Sequence, residues 1–370
     1  MMSTMTRGNV LELADFRLAQ AEQDRGFTRF ALDGGTSPRL SDTELYRTAW
    51  DLQSSIEDRY IPASSLAVDM RYDIESDKGV YPVLLVNGRA YRFTNTAFSQ
   101  LCEKSGMGVT SYMKKCIGSG LPQLVPQNIN AWLDSQNGSD LLVRFCGDHV
   151  IAFLSSKYGV FDHGDALECL NRALGNGDKY QIEAHSLTID NMSVRLVDTE
   201  KVLIQDRSDG RDKSTAGLIF RNGQTGQSLA SIEFMIFTFA CTNGLIVAQD
   251  RGIVYKRRHI SIDKADFTSQ ITATLEQFPD YVAEARKDME RARQSRIDID
   301  QRVKLRPQIQ KSLGVGDETM AEIFDVMDTR WDANAWGLAG AITEVAQKFS
   351  AERQYQFEKY AGELLQKLVA

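Results

Sequence analysis

The chain has 370 residues with 43 Lys or Arg and 50 Asp or Glu, so its formal net charge is −7. This balance excludes a uniformly basic nucleic-acid coat but leaves room for a local basic surface. Because 42 % of the residues are hydrophobic and no apolar run approaches the roughly 20 residues that span a bilayer, we expect a cytoplasmic globular protein without a secretory signal or a membrane contact.

Metal and cofactor sites are not indicated by the cysteines and histidines. The nearest two of the five cysteines are Cys102 and Cys116, which excludes a CxxC pair, and the four histidines are scattered without an HExxH pattern. We predict reduced, buried cysteines, no metal centre and no cofactor.

Residues 1–40 are predicted to form a flexible N-terminal arm, since they end in the turn-forming run Asp33-Gly34-Gly35-Thr36-Ser37-Pro38. Ser41 to Glu44 resembles a capping box and opens a predicted helix to about Arg59, closed by Pro62. Strands are predicted at 66–72, 81–86 and 89–93. The last two flank Asn87-Gly88, the strongest short hairpin signal, because both turn positions require positive φ.

Helical periodicity follows from Thr94 to Cys116 and from Val125 to Leu133. A second hairpin is predicted around Gly147-Asp148, and further strands extend to Ala240, before a tight turn at Cys241-Thr242-Asn243-Gly244. From Ile262 onwards the composition favours long helices.

The predicted fold class is therefore α+β: an antiparallel sheet of hairpins with helices packed against it, followed by a helical C-terminal region. We divide the chain into a flexible arm (1–40), a mixed α+β core (41–262) and a helical region (263–370).

No sequence pattern indicates an enzyme. The chain lacks GxxxxGK[ST], GxGxxG after a strand and GxSxG. His149 and His163 lie near Asp148, Ser155 and Asp162, but such residues are common beside hairpins and define no catalytic geometry. We predict a non-enzymatic, ATP-independent protein.

Positive charge is concentrated locally. Between Arg286 and Lys311 there are nine basic and four acidic residues, which fits either a phosphate-binding face or a solvated helix laced with ion pairs such as Asp298 with Arg302. Elsewhere basic residues stand beside aromatic ones, and aromatic rings can stack on unpaired bases. The candidate nucleic-acid-binding residues are Lys256, Arg257, Arg258 and His259, then Lys114, Lys115, Arg92 and Lys157, with Tyr91 and Tyr255 as stacking platforms.

Several segments resemble a phage- and plasmid-borne family that has long been catalogued as a domain of unknown function and occurs beside mobile-element genes. The resemblance rests on four blocks, which cover most of residues 80–365 in the family's order. These are Phe93 to Leu133, Val143-Arg144-Phe145 with Ala152 to Tyr158, Ser231 to Leu245 with Arg258-His259, and Trp336 to Glu344. Lys157 stands where the family's pattern has Arg, so the charge is kept but the guanidinium fork is lost.

The resemblance implies a role in the DNA transactions of mobile elements. By analogy of fold and context it extends to the single-strand annealing recombinases of the RecT, Red-beta and Erf superfamily, which assemble into rings or helices around a basic groove.

Our leading hypothesis is thus a single-stranded-DNA-binding and annealing protein. The alternatives are a phage-encoded protein-interaction module or inhibitor, for which the acidic surface would mimic DNA, and an enzyme of unrecognised class. Apolar residues on more than one side of the terminal helix (Tyr355, Phe357, Tyr360, Leu364, Leu365) predict in addition a homo-oligomer.

Overall fold

The α+β class is confirmed by the computed structural model of the chain. It describes residues 27–29, 39–72, 79–104, 110–136, 140–175, 179–204, 214–238, 243–246, 255–260 and 262–369. These residues form thirteen strands and eleven α-helices. Most of the predicted N-terminal arm, all but 27–29 and 39–40, lies outside the described residues.

The strands form two sheets rather than one. The first sheet has the order β2-β6-β7-β5-β4-β3. Its strands are β2 (Ile56–Pro62), β3 (Ala67–Tyr72), β4 (Val80–Val86), β5 (Arg89–Phe93), β6 (Asp140–Cys146) and β7 (His149–Ser155).

The second sheet has the order β1-β8-β9-β10-β11-β12, and β13 pairs with the opposite end of β11. Its strands are β1 (Thr28–Arg29), β8 (Tyr180–Leu187), β9 (Met192–Ile204), β10 (Ser214–Asn222), β11 (Ala230–Thr238), β12 (Asn243–Ile246) and β13 (Tyr255–Arg257).

Both predicted hairpins of the first sheet are confirmed. Asn87 (φ 49°) and Gly88 (φ 78°) connect β4 to β5 with positive φ at both turn positions. Gly147 (φ 58°) and Asp148 connect β6 to β7, and Cys146 pairs with His149. The turn expected at 241–244 does not include Asn243 and Gly244, because these two residues pair with Thr238 and Phe237 in the β11–β12 ladder. Cys241 and Thr242 lie outside the described residues.

One pair of strands departs from the predicted antiparallel arrangement. β5 and β7 are parallel, with Arg92 opposite His149 and Phe93 opposite Val150. The two hairpins lie side by side in the sheet, and the chain between them contains three helices. Short-range turn signals predict each hairpin but carry no information about how two hairpins dock.

The helices of the first half are α1 (Glu44–Ser54), α2 (Asn95–Lys104), α3 (Thr110–Gly118), α4 (Leu124–Ser135) and α5 (His163–Leu174). The helix predicted to reach Arg59 ends at Ser54, and residues 56–62 form β2 instead. β2 pairs along its whole length with the buried strand β6. This tertiary pairing outweighs the helical propensity of the segment.

The C-terminal region is helical, as predicted. It consists of α6 (Lys264–Glu276), α7 (Phe278–Gln294), α8 (Ile299–Leu313), α9 (Asp317–Arg330), α10 (Ala335–Val345) and α11 (Ala351–Val369). The largest hydrophobic cluster joins the second sheet to these helices, so it crosses the boundary that we drew at 262/263. A separate cluster holds α2–α4 on the first sheet.

The terminal helix α11 is buried on more than one side within its own chain. Phe357 is fully buried, and Tyr355, Leu364 and Leu365 are each less than 10 % exposed. The apolar surplus that suggested a homo-oligomer is thus covered by the second sheet and the other C-terminal helices. The homo-oligomer remains a prediction without this support.

Candidate nucleic-acid interface

The basic cluster at Lys256–His259 is largely neutralised by carboxylates. Lys256 Nζ lies 3.2 Å from the buried Glu233 Oε2, and Arg257 Nη1 lies 4.0 Å from Asp266 Oδ2. Arg258 is exposed. Of the three cations in this cluster, only Arg258 has no carboxylate partner among the described residues, so the cluster offers less free positive charge than its sequence indicates.

The two other residues of this segment, His259 and Tyr255, pack against the protein, the first buried and the second half-buried. His259 is 4 % exposed and its Nε2 donates to Asn222 Oδ1 at 2.9 Å. Tyr255 packs against Phe267, with 5.5 Å between the ring centroids. A base needs an accessible ring face or edge, which the buried His259 does not offer, whereas Tyr255 is half-buried and stays a predicted stacking residue.

Tyr91 is also placed in the core. It is 3 % exposed, its ring lies 4.6 Å from that of Phe145, and its hydroxyl accepts from Arg59 Nη1 at 3.0 Å. Successive side chains of a strand point to opposite faces, so the burial of Tyr91 places Arg92 on the other face of the sheet. Tyr91 therefore serves the core and not a stacking surface.

Arg92 and Lys114 are brought together in one cleft of about 330 Å³, which we call the basic cleft. Arg92 comes from the end of β5 and Lys114 from α3, and both side chains are exposed. Tyr81, Phe98 and His149 also line the cleft, and no acidic side chain does so in the described part of the chain.

The Arg92 guanidinium lies 4.9 Å from the centroid of the Tyr81 ring, and its Nη2 donates to the Tyr81 hydroxyl at 3.4 Å. A cation over an aromatic face at this distance is attracted by the ring quadrupole. The pair leaves an arginine and a tyrosine ring side by side at the cleft.

The remaining lysines lie outside this cleft. Lys115 follows Lys114 on α3 but does not line the cleft, and Lys157 lies in the exposed turn after β7. Each is exposed without an ion-pair partner among the described residues.

Tyr81 and His149 were not predicted as site residues. The sequence did contain a signal for Tyr81. The two-residue turn at Asn87-Gly88 sets the register that pairs Val83 with Arg92, and Tyr81, two residues before Val83, is then the diagonal neighbour of Arg92. No local signal existed for His149, because its proximity to Arg92 depends on the parallel β5–β7 contact.

The basic stretch from Arg286 to Lys311 is laced with ion pairs. Lys287 pairs with Glu284, Arg291 with Asp288, Arg302 with Asp328 and Arg306 with Asp317. The pair suggested between Asp298 and Arg302 does not form, because Asp298 caps α8 and accepts from the backbone of Gln301 at 2.8 Å. This stretch matches the solvated-helix interpretation.

Residues from two of the resembling blocks, Arg144 with Tyr158 and then His259, meet in a largely buried polar network between the two sheets. Arg144, fully buried on β6, donates from Nε to Asp58 at 2.7 Å, from Nη2 to Asp162 at 2.9 Å and from Nη1 to the Gln224 carbonyl at 2.6 Å. Tyr158 donates its hydroxyl to the same carbonyl at 3.3 Å.

The network continues through Asn222, which is fully buried at the end of β10. Its amide accepts from His259 and lies 3.2 Å from Nδ1 of His163. Burial lowers the pKa of His163 to about 3 and that of His259 to about 4, so both imidazoles are neutral at neutral pH. Burial also raises the pKa of Asp162, against the opposing pull of Arg144. The network joins the two sheets, and only Asp58 and Tyr158 at its edge reach solvent.

Among the described residues, no group of three or more His, Cys, Asp and Glu side chains is arranged to hold a metal ion. In the same part of the chain, no helix has the length and apolarity required to cross a membrane.

The family described as a domain of unknown function, DUF932, matches residues 150–367, which is more than half of the chain. The chain therefore belongs to this family. Neither the curated proteins nor the solved structures contain a match.

Proposed function

We propose that the chain is a non-enzymatic protein that binds single-stranded DNA at the basic cleft and acts in annealing-type recombination of a phage or another mobile element. The proposal rests on one observation: two cationic side chains and two rings line the same cleft. They are Arg92, Lys114, Tyr81 and His149.

The physical basis is the combination of charge and ring surface. Arg92 and Lys114 neutralise backbone phosphates, and the exposed edge of the Tyr81–Arg92 pair offers a planar surface for an unpaired base. Since the chain as a whole carries −7, DNA is repelled from most of the surface and is confined to this local positive region.

The experiment is fluorescence anisotropy of a labelled single-stranded oligonucleotide over a series of salt concentrations. Log affinity must fall with log salt by about 0.7 for each phosphate neutralised. The double variant Arg92→Ala/Lys114→Ala should bind more weakly and lower the salt slope by about 1.4, because two phosphate contacts are lost.

The matched control is Arg47→Ala/Lys311→Ala, which removes the same two residue types from exposed helix positions away from the cleft. It should leave affinity and slope unchanged. Equal effects of the two double variants would place binding outside the basic cleft, and a flat salt response would remove the proposal.

Lys115, Lys157 and Arg258 are exposed and available for a longer strand. Single alanine substitutions there should have smaller effects than Lys114→Ala, because these residues lie outside the cleft. Oligomerisation on the strand is part of the proposal, and light scattering with and without the oligonucleotide measures it.

The second candidate is a protein-interaction module or inhibitor that acts on a nucleic-acid-binding enzyme. The net charge of −7 and the neutralisation of Lys256 and Arg257 by carboxylates favour it, since both reduce the attraction of the surface for DNA. Absence of binding to the oligonucleotide at low salt would favour this second candidate.

A further inference from the structure

A second cavity of about 490 Å³ adjoins the basic cleft, and Phe93, Thr94 and Asn95 line both. It lies between the N-terminus of α2, the tip of the β8–β9 hairpin and the start of α11. We call it the hydroxyl cavity. Its volume is within the range of small-molecule sites.

The lining of the hydroxyl cavity is polar but carries no cation. Nine of its eleven lining residues have a hydroxyl, amide or carboxylate side chain, and the other two are Phe93 and Ala351. A ligand that both donates and accepts hydrogen bonds suits such a surface, because hydroxyls and amides do both.

Ser186 is the residue that most directly indicates a ligand. It is 8 % exposed, lines the cavity and has no side-chain hydrogen-bond partner among the described residues. Ser193 stands opposite it across the hairpin, and its hydroxyl already accepts from Arg221 Nε at 3.3 Å. Because solvent still reaches its oxygen at the cavity wall, the Ser186 hydroxyl has free hydrogen-bonding capacity there.

Asp190 supplies an acceptor at the hairpin tip. Its two carboxylate oxygens accept from Thr225 Oγ1 at 2.6 Å and from Thr96 Oγ1 at 2.8 Å. Each oxygen has a further lone pair for a ligand hydroxyl. Burial raises the pKa of Asp190, against the opposing hydrogen bonds from the two threonines.

Two features make a phosphate ligand unfavourable. Asp190 places a carboxyl group in the wall, and no Lys, Arg or His lines the cavity in the described part of the chain. The first turn of α2 places the backbone N–H groups of Asn95 and Thr96 at the cavity, where they have no acceptor within the helix and donate to a ligand oxygen.

We propose that the hydroxyl cavity binds an uncharged polyhydroxylated molecule, a monosaccharide or a sugar unit of a larger ligand. Ser186 and the first-turn amides of α2 donate to its hydroxyl oxygens, Asp190 accepts from its hydroxyl groups, and the half-buried ring of Phe93 contacts its C–H face. This site shares part of its lining with the basic cleft but does not include Arg92 or Lys114, and it does not require that the chain binds DNA.

The experiment is saturation-transfer difference NMR on the full chain with D-ribose and D-glucose as probes at millimolar concentration, and with inorganic phosphate as a competitor. We expect saturation transfer to at least one sugar without displacement by phosphate. Ser186→Ala should weaken binding of that sugar roughly tenfold, the size of one lost hydrogen bond.

Ser135→Ala, an exposed serine at the end of α4, is the matched control and should bind the sugar as the native chain does. A thermal melt shows that each variant is folded, and Asp190→Asn serves as a second variant. Arg92→Ala/Lys114→Ala should leave sugar binding unchanged. Sugar binding at the hydroxyl cavity and DNA binding at the basic cleft are therefore tested independently of each other. No transfer to either sugar, displacement by phosphate, or an unchanged affinity in Ser186→Ala would overturn the inference.

Discussion

Arg195 and Glu358 form a fully buried ion pair that fastens the terminal helix to the second sheet. Arg195 Nη2, on β9, donates to both carboxylate oxygens of Glu358 on α11 at 2.7 and 2.8 Å. Beside it, Tyr355 donates its hydroxyl to Glu233 Oε1 of β11 at 2.7 Å. Charges so deeply buried are tolerated only when they are paired, so the position of α11 depends on these contacts.

Glu358→Leu should destabilise the fold by about 3–5 kcal/mol, because it leaves the Arg195 charge buried without its partner. Urea unfolding measures the change. The double variant Arg195→Met/Glu358→Leu should recover most of the loss, since an apolar pair of similar size replaces the ion pair. Glu363→Gln, on the same helix but half-exposed, is the control. A double variant as unstable as the single one would show that packing, and not the unpaired charge, causes the loss.

The stability should fall as the pH drops below about 6.5, the pKa of an exposed histidine. His163 and His259 have folded-state pKa values lowered to about 3 and 4 by burial, so between pH 6.5 and 4 the unfolded chain binds protons that the folded chain does not. The contribution of the two histidines to the free energy of unfolding is present above pH 6.5 and decreases towards pH 4. Near pH 5 the free energy of unfolding changes by roughly 2–3 kcal/mol per pH unit for the two groups together.

Urea midpoints between pH 7.5 and 5 test this dependence. His185, whose pKa burial also lowers, adds to it in the same direction. His259→Gln removes one titrating group, so its midpoint should vary less with pH than that of the native chain. An identical pH dependence in the variant would exclude His259 as a source.

Gly340→Ala should destabilise the chain although alanine is the better helix former. An added Cβ at Gly340, inside α10, would lie 2.7 Å from the ring of Trp331, closer than real Cβ contacts allow. Gly118→Ala, at the last residue of α3, is the control, because its Cβ would meet no atom within 4 Å. The expected results are a loss of about 1–3 kcal/mol for the first and a neutral or stabilising change for the second. Thermal melts compare them.

The described cysteines should react slowly with a thiol reagent in the native state. Cys102, Cys116, Cys146 and Cys169 are free and buried, and burial raises the pKa of Cys102 to about 11. The labelling rate is measured in Cys241→Ser, so that it comes from these four thiols alone. They should react rapidly only after urea is added, and fast native labelling of Cys102 would contradict its burial.

Local chemistry in the sequence was sufficient for the hairpins and for the change to helices after Ile262. Asn87 and Gly88 define their turn because few residues adopt positive φ, and the apolar runs on either side then set the register. The strand β2 was missed because residues 56–62 have no turn signal of their own and are extended only through pairing with β6.

The candidate site was predicted only in part. Arg92 and Lys114 were singled out separately for their charge, but nothing in the sequence placed them in one cleft with Tyr81 and His149. Nothing in the sequence distinguished His259 and Tyr91 from the exposed candidate residues, although both are buried. Residue type indicates what a side chain can do, and its neighbours in space decide whether solvent or a ligand can reach it.

The sequence by itself thus determined the fold class, the two hairpins and the helical C-terminal region, because turn chemistry and periodicity act over a few residues. Only the tertiary structure decided which charges are free. It paired Lys256 with Glu233 and Arg195 with Glu358, buried Arg144 between the sheets and left Arg92 and Lys114 open. These outcomes depend on contacts between residues distant in the chain, and such contacts are set by how the two sheets and the C-terminal helices pack.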